Sequence, residues 1–199
     1  MLLHLFPHHP VMDGVPIFSL WKYTMPHAKL KSIRGCLNST TTMIITRMEG
    51  NLEKGVGGSS FQVALDICKE MGIVEADESL DILPKMDEIP RESIRSLKRE
   101  DLIEAYANGK QKYRLVATAN LIEEESNLND TSTKRWEAAV RLQLIEPSDP
   151  LYNLTGADAS VQLCTDVLGP VTVVSTNPTL KDTAYGLFSD IIRVAAEAR

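Results

Sequence analysis

Residues 112–146 read "KYRLVATANLIEEESNLNDTSTKRWEAAVRLQLIE", and this stretch decides the fold. In its second half Val140, Leu142 and Leu144 fall on one side and Arg141 and Gln143 on the other, the period of two that marks a strand. "KYRLVATA" has the same character, and the polar "EEESNLNDTSTKR" between the two reads as a hairpin loop. An antiparallel pair of strands therefore stands at the centre of the chain.

Helical signals precede the pair. In "NSTTTMIITRMEG", Asn38 is a capping residue, Ile44 and Met48 are spaced four apart, and Gly50 is a stop. Its β-branched threonines weaken it as an isolated helix, so packing must stabilise it. "NLEKGVGGSS" then reads as a flexible loop. Ser59 with Gln62 forms a capping box for a second helix, with Val63, Ala64, Ile67, Cys68 and Met71 on its apolar face and Gly72 as the stop. A third helix follows in "KREDLIEAYANGK", where Leu102, Ala105 and Tyr106 share a face and Asn108-Gly109 ends it.

Beyond the hairpin, "SVQLCTD" and "VTVVS" are short strands around Leu168-Gly169-Pro170. Thr179 and Asp182 cap a closing helix whose Leu187, Ile191 and Val194 are expected to bury against the sheet. This order implies an α+β fold: a mixed, largely antiparallel sheet with helices packed on one face. Residues 1–10 are expected to be an unstructured terminus and 11–199 a single domain, since 199 residues with 43% hydrophobic content support one substantial core.

A formal charge of -6 argues against a nucleic-acid partner. No apolar run is long enough to cross a membrane. The opening "MLLHLFPHHP" is broken by prolines and makes a poor signal peptide. Cys36, Cys68 and Cys164 are odd in number and sit in apolar runs, which fits a reducing, cytoplasmic location. Neither G-x-G-x-x-G after a strand nor G-x-x-x-x-G-K-[ST] occurs, and no strand precedes "GVGGSS", so a phosphate-cradling turn is not expected. His8 and His9 lack the further ligands that a metal would need.

The segment "GIVEADESLDILPKMDEIPRES", residues 72–93, is acid-rich and follows a helix C-terminus, where the helix dipole disfavours carboxylates. Water or a cationic ligand must favour them instead. A calcium loop is the lesser reading, because the D-x-[DN]-x-[DN]-G spacing is missing.

Together "VMDGVPIFSL", "IRGCLNSTTTMIITRME", "GIVEADESLDI", "LTGADASVQLCTDVLGPVTVV" and "DTAYGLFSDIIRVA" resemble, in order and spacing, the catalytic domain of homoserine dehydrogenases. The resemblance implies an NADP- or NAD-dependent oxidoreductase that interconverts homoserine and aspartate semialdehyde on the route to threonine and methionine. It further implies that Glu75 grips the substrate ammonium, with Asp77 and Asp81 in the same acidic turn. Asn38, Ser39 and Thr40 inherit the substrate-contacting turn. A homo-oligomer, or a dimer with a full-length homologue, is the implied assembly.

The chain also departs from the family pattern. The Rossmann domain that precedes the family's catalytic domain is expected to be absent. Against the family pattern, the helix bearing the catalytic lysine is expected to be cut out near residues 83–90, where Lys85 and Asp87 stand in reversed order between Pro84 and Pro90. The upstream glutamate of the family's monovalent-cation site is missing, leaving only backbone carbonyls around Val11 and Asp13. No catalytic residue is assigned. The expected reading is a substrate-binding half that is inactive alone, or a non-catalytic dimerisation or regulatory fragment.

Overall fold

The computed structural model describes residues 14–17, 20–70, 89–124 and 133–197. Five strands form one sheet in the order β3-β2-β1-β4-β5: β1 Leu30–Cys36, β2 Lys112–Glu124, β3 Thr133–Ile145, β4 Ala159–Thr165 and β5 Val171–Ser175. All neighbouring strands are antiparallel. The alternating stretch of 112–146 is its longest ladder, paired without a break from Lys112↔Ile145 to Glu124↔Thr133. Among the described residues four α-helices accompany the sheet: α1 Ser39–Glu49, α2 Phe61–Glu70, α3 Arg99–Gly109 and α4 Leu180–Glu197.

Alternation along the strands sorts the core into clusters. Tyr113, Leu115 and Leu142 pack against Ile44, Ile45 and Met48 of α1, Ala64 and Cys68 of α2, and Leu102 of α3. On the same face, Ile33, Val161 and Leu163 pack with Ile17 and Trp21. On the opposite face, Cys36, Val116 and Ile145 are covered by Leu151 and Leu154 from the β3–β4 connection. A fully apolar side chain buried this way contributes about 1.5–3 kcal/mol.

Three expectations need correction. The α2 cap falls on Ser60, whose Oγ accepts from Val63 N at 3.4 Å. Ser59 instead donates its amide to Arg47 O at 2.9 Å, and Gln62 bonds Asp66 rather than closing a box. The glycine-rich stretch is likewise not loose. Gly58 N donates to Met48 O at 2.8 Å, Asn51 and Val56 pair with each other, and a Cβ on Gly58 would meet Arg47 O at 2.0 Å. These amides satisfy carbonyls that the end of α1 leaves open.

The third correction concerns α4. Its start is as expected, with Thr179 N and Oγ1 both donating to Asp182 Oδ2 at 2.7 Å. Its apolar side, however, faces outward: Leu187 is 52% and Ile191 65% exposed, with Phe188 and Ile192 beside them. The side chain of Val194 lies outside the described residues. What α4 turns inward is Gly186, packed on Gly14, where an added Cβ would come within 2.9 Å of the Gly186 Cα. Only a glycine lets a helix backbone approach another backbone so closely. The apolar spacing marked a face to be covered, and among the described residues no side chain of the sheet covers it.

Candidate functional site

β1 delivers the chain to the residues expected to touch substrate. Gly35 sits so close to β4 that a Cβ would fall 2.1 Å from Ser160 O, which fixes where the strand ends and α1 begins. Asn38 has extended backbone at the α1 N-cap (φ -112, ψ 110). Its Oδ1 accepts from Thr41 N at 2.8 Å, and its carbonyl accepts from the Thr41 and Thr42 hydroxyls at 3.0 and 3.2 Å. The Asn38 side chain is thus engaged as a cap. Ser39 is half-buried and Thr40 buried. This helix start carries the partial positive charge that favours a carboxylate.

Glu75, Asp77 and Asp81 lie outside the described residues, as do Lys85, Asp87, Val11, Asp13, His8 and His9. The geometry therefore brings together Asn38, Ser39 and Thr40 as one helix start and leaves the acidic half of the expected site undescribed.

The chemistry open to the remaining groups is narrow. Burial pushes the Cys36 thiol up to about 11, against the opposing pull of Arg114 and Arg34. Burial also raises the Cys68 thiol, with Arg47 opposing. Neither is a thiolate near neutral pH, so both serve as small hydrophobes. Lys112 is lowered by burial, with Glu49 opposing, and its Nζ lies 4.5 Å from the centre of the Tyr152 ring. A lysine lowered by burial is the usual form of a proton-transfer lysine. Glu49, however, ends α1, and eleven residues at about 1.5 Å each separate that end from Asn38 by roughly 16 Å. Lys112 does not belong to the site.

Among the described residues no group of three or more His, Cys, Asp or Glu is placed to hold a metal. A dinucleotide fits these residues no better. The glycine-rich amides at Gly58 and Ser59 are spent on α1 carbonyls, and the pyrophosphate fingerprint is missing from the sequence.

One buried group that the sequence did not single out anchors the other end of α1. Arg114, 0% exposed, pairs with Glu49 and donates to the carbonyls of Tyr113, Tyr152 and Leu154 at 2.7, 3.1 and 2.8 Å. Its position within an alternating strand carried no sign of a partner so far away in sequence.

The chain matches the family model described as homoserine dehydrogenase over residues 16–84 and 82–192. The NAD(+)-dependent homoserine dehydrogenase of Pseudomonas canavaninivorans is 25% identical, over 94% of this chain and 54% of its own length. The homoserine dehydrogenase of Methanocaldococcus jannaschii is 40% identical, over 39% of this chain and 22% of its own. A crystal structure of a homoserine dehydrogenase from Thiobacillus denitrificans shares the fold, with a TM-score of 0.74 at 22% identity, covering 94% of this chain and 44% of that one. The chain spans about half the length of the relatives that match nearly all of it.

Proposed function

Because the chain belongs to the homoserine dehydrogenase family, we propose that it supplies the substrate-holding part of an oxidoreductase interconverting homoserine and aspartate semialdehyde in the aspartate pathway. NADP or NAD is the cofactor. The observation that carries this reading is the family match over residues 16–192.

The division of labour follows from the charges on a zwitterionic substrate. The start of α1, at Asn38, Ser39 and Thr40, takes the carboxylate, and Glu75 takes the ammonium, with Asp77 and Asp81 adding negative charge. Charge-assisted hydrogen bonds of this kind are roughly twice as strong as neutral ones. Oxidising the homoserine carbinol also needs an acceptor for hydride and a base for the hydroxyl proton. In the sequence Lys85 lies between Pro84 and Pro90 and precedes Asp87, the reverse of the order in the family pattern. These 199 residues alone are therefore inactive. No contribution from Val11 and Asp13 is needed beyond backbone carbonyls that hold a monovalent cation.

Two measurements test this. Incubation of the purified chain with homoserine and NADP should yield no reduced nicotinamide, and turnover near the rate of a full-length relative overturns the claim of inactivity. Titration with homoserine should shift the amide resonances of residues 38–40 and 75–77, and a spectrum unmoved at saturating concentration overturns the substrate assignment.

The outward apolar side of α4 favours a second reading, in which the chain pairs with itself or with a full-length homologue as a dimerisation or regulatory module. Co-purification with such a homologue supports it, and a chain that stays monomeric beside one refutes it. A cytoplasmic, reducing setting suits the free thiols of Cys36, Cys68 and Cys164.

A further inference from the structure

The buried Gly186 is where α4 rests on the rest of the fold, against Gly14. Leu180, Tyr185, Leu187, Phe188, Ile191 and Ile192 of the same helix are each more than half exposed. At about 100° per residue, Leu187, Ile191, Phe188 and Ile192 lie roughly 100–240° round the helix from Gly186, so the apolar stripe points away from the body. Single exposed apolar residues are ordinary, but these are contiguous. At on the order of 100–150 Å² each, the six side chains present roughly 600–900 Å², above the about 300–600 Å² of the largest patch on a typical monomer. A surface of that size marks an interface.

Area, spacing and side-chain size all fit a second copy of α4. A standard specific interface removes about 800 Å² from each partner, which this stripe supplies. Leu180, Ala184, Leu187 and Ile191 follow one another at intervals of four, three and four, the seam spacing of paired helices. No residue of that seam is charged, so two copies meet along it without opposing like charges. Antiparallel pairing about a midpoint between Leu187 and Phe188 sets Leu180 across from Ala195 and Ala184 across from Ile191. Large then faces small, and the layers interdigitate. A parallel pair would set Ala184 on Ala184 and Ala195 on Ala195, which leaves gaps. Antiparallel helices also place opposite dipole ends side by side. An anionic membrane is a poorer occupant, because α4 carries Lys181 and Arg193 against Asp182, Asp190 and Glu197.

We propose that two copies of this chain associate through α4, as an antiparallel, two-fold pair of helices. This rests on the pairing reading above and narrows it to one element and one partner. Because Gly186 faces away from the seam, the two bodies stand on opposite sides of the helix pair, and the same patch on both copies closes the assembly at two. The seam holds no polar anchor, so the association is weak, with a Kd on the order of 10–100 µM. At about 1 µM the chain is single.

The test is sedimentation equilibrium of the whole chain from about 5 to about 500 µM, over which wild type should pass from single to paired. Phe188→Glu and Leu187→Glu should each raise Kd at least about tenfold, since pairing would bury an uncompensated carboxylate. Val174→Glu, at an exposed position of β5, should leave Kd unchanged. Amide spectra of the α4 variants should match wild type outside α4, which separates lost pairing from lost fold. For direction, a spin label on Ala195→Cys, in a Cys164→Ser background, should broaden the Leu180 amide of an isotope-labelled wild-type partner more than its Ala195 amide. Three results overturn the proposal: a chain still single at about 500 µM, pairing that Val174→Glu breaks and the α4 variants do not, or a Leu180 resonance that stays sharp. In the second case the copies meet through the sheet, and the pairing reading survives without this one. A chain that is single alone, yet whose α4 amides respond to a full-length homologue or to phosphatidylcholine vesicles, has another occupant on this face and equally refutes the proposal.

Discussion

Replacing Glu49 by alanine removes the only carboxylate paired with the buried guanidinium of Arg114 among the described residues. The three carbonyl acceptors of Arg114 remain, but they carry no full charge. Breaking a buried ion pair by deleting one partner costs about 3–5 kcal/mol, because the other charge is left without compensation. That is a large share of the roughly 5–15 kcal/mol that holds a domain together. For a chain of this size each kcal/mol moves the melting temperature by about 2–4 °C, so a fall of about 10 °C is expected. The double variant Glu49→Leu, Arg114→Met discards both charges, together with the Arg114 Nε that has no hydrogen-bond partner. It should recover much of the loss, since apolar replacements of buried pairs are often neutral or stabilising. Urea unfolding of the wild type, both single variants and the double variant closes a mutant cycle. A single variant that loses under about 1 kcal/mol, or a double variant no better than the worse single one, refutes this account of how α1 is anchored.

Other outcomes follow from the same geometry. Asp158 is buried and accepts from Thr155 N at 2.9 Å and Asn177 N at 2.8 Å; Asp158→Ala should cost about 2–4 kcal/mol in chemical denaturation, because two amides lose a charged acceptor. The Cys36 thiol, raised to about 11 from 9.0, keeps its proton in the folded chain while an unfolded chain gives it up. Its contribution is therefore present below pH 9 and is lost as pH rises towards 11, so wild type minus Cys36→Ala stability should fall by about 2 kcal/mol across that window. A flat difference contradicts the assigned burial. Phe188→Glu on the outward side of α4 should change unfolding by under about 0.5 kcal/mol while lowering binding to a hydrophobic resin; a loss above about 2 kcal/mol would mean that this side is covered within the fold.

Much of the architecture was legible because local chemistry and global packing agree. The alternation in 112–146 survives as the longest ladder, and the caps at Asn38 and Thr179 stand where their side chains predict. The failures have a common cause. Ser59 yields the α2 cap to Ser60 because its amide is drawn to the open end of α1, a contact that only the folded loop creates. The face of α4 was assigned by assuming that an apolar stripe is covered by its own chain, and Gly186 on Gly14 reverses it. Of the candidate site, the helix start at residue 38 was legible from the Asn38 cap, while the substrate role of residues 38–40 came only from the family resemblance. The Arg114–Glu49 pair could not be read, because it joins residues whose adjacency depends on how α1 packs on the sheet.

The seat of Gly186 on Gly14 also sets an order of events during synthesis. The two glycines stand at opposite extremes of the sequence, so α4 finds its berth only after almost everything between them has emerged and condensed. Contacts with such long loops form late and slowly. A ribosome still making this protein would therefore hold a finished central hairpin while the last helix, greasy side outward, waits unseated. That interval is when chaperones have most to grip and when clumping is most tempting. Enlarging either glycine should lengthen the interval, and refolding at rising protein concentration would register the change as lost yield alongside a lower melting temperature.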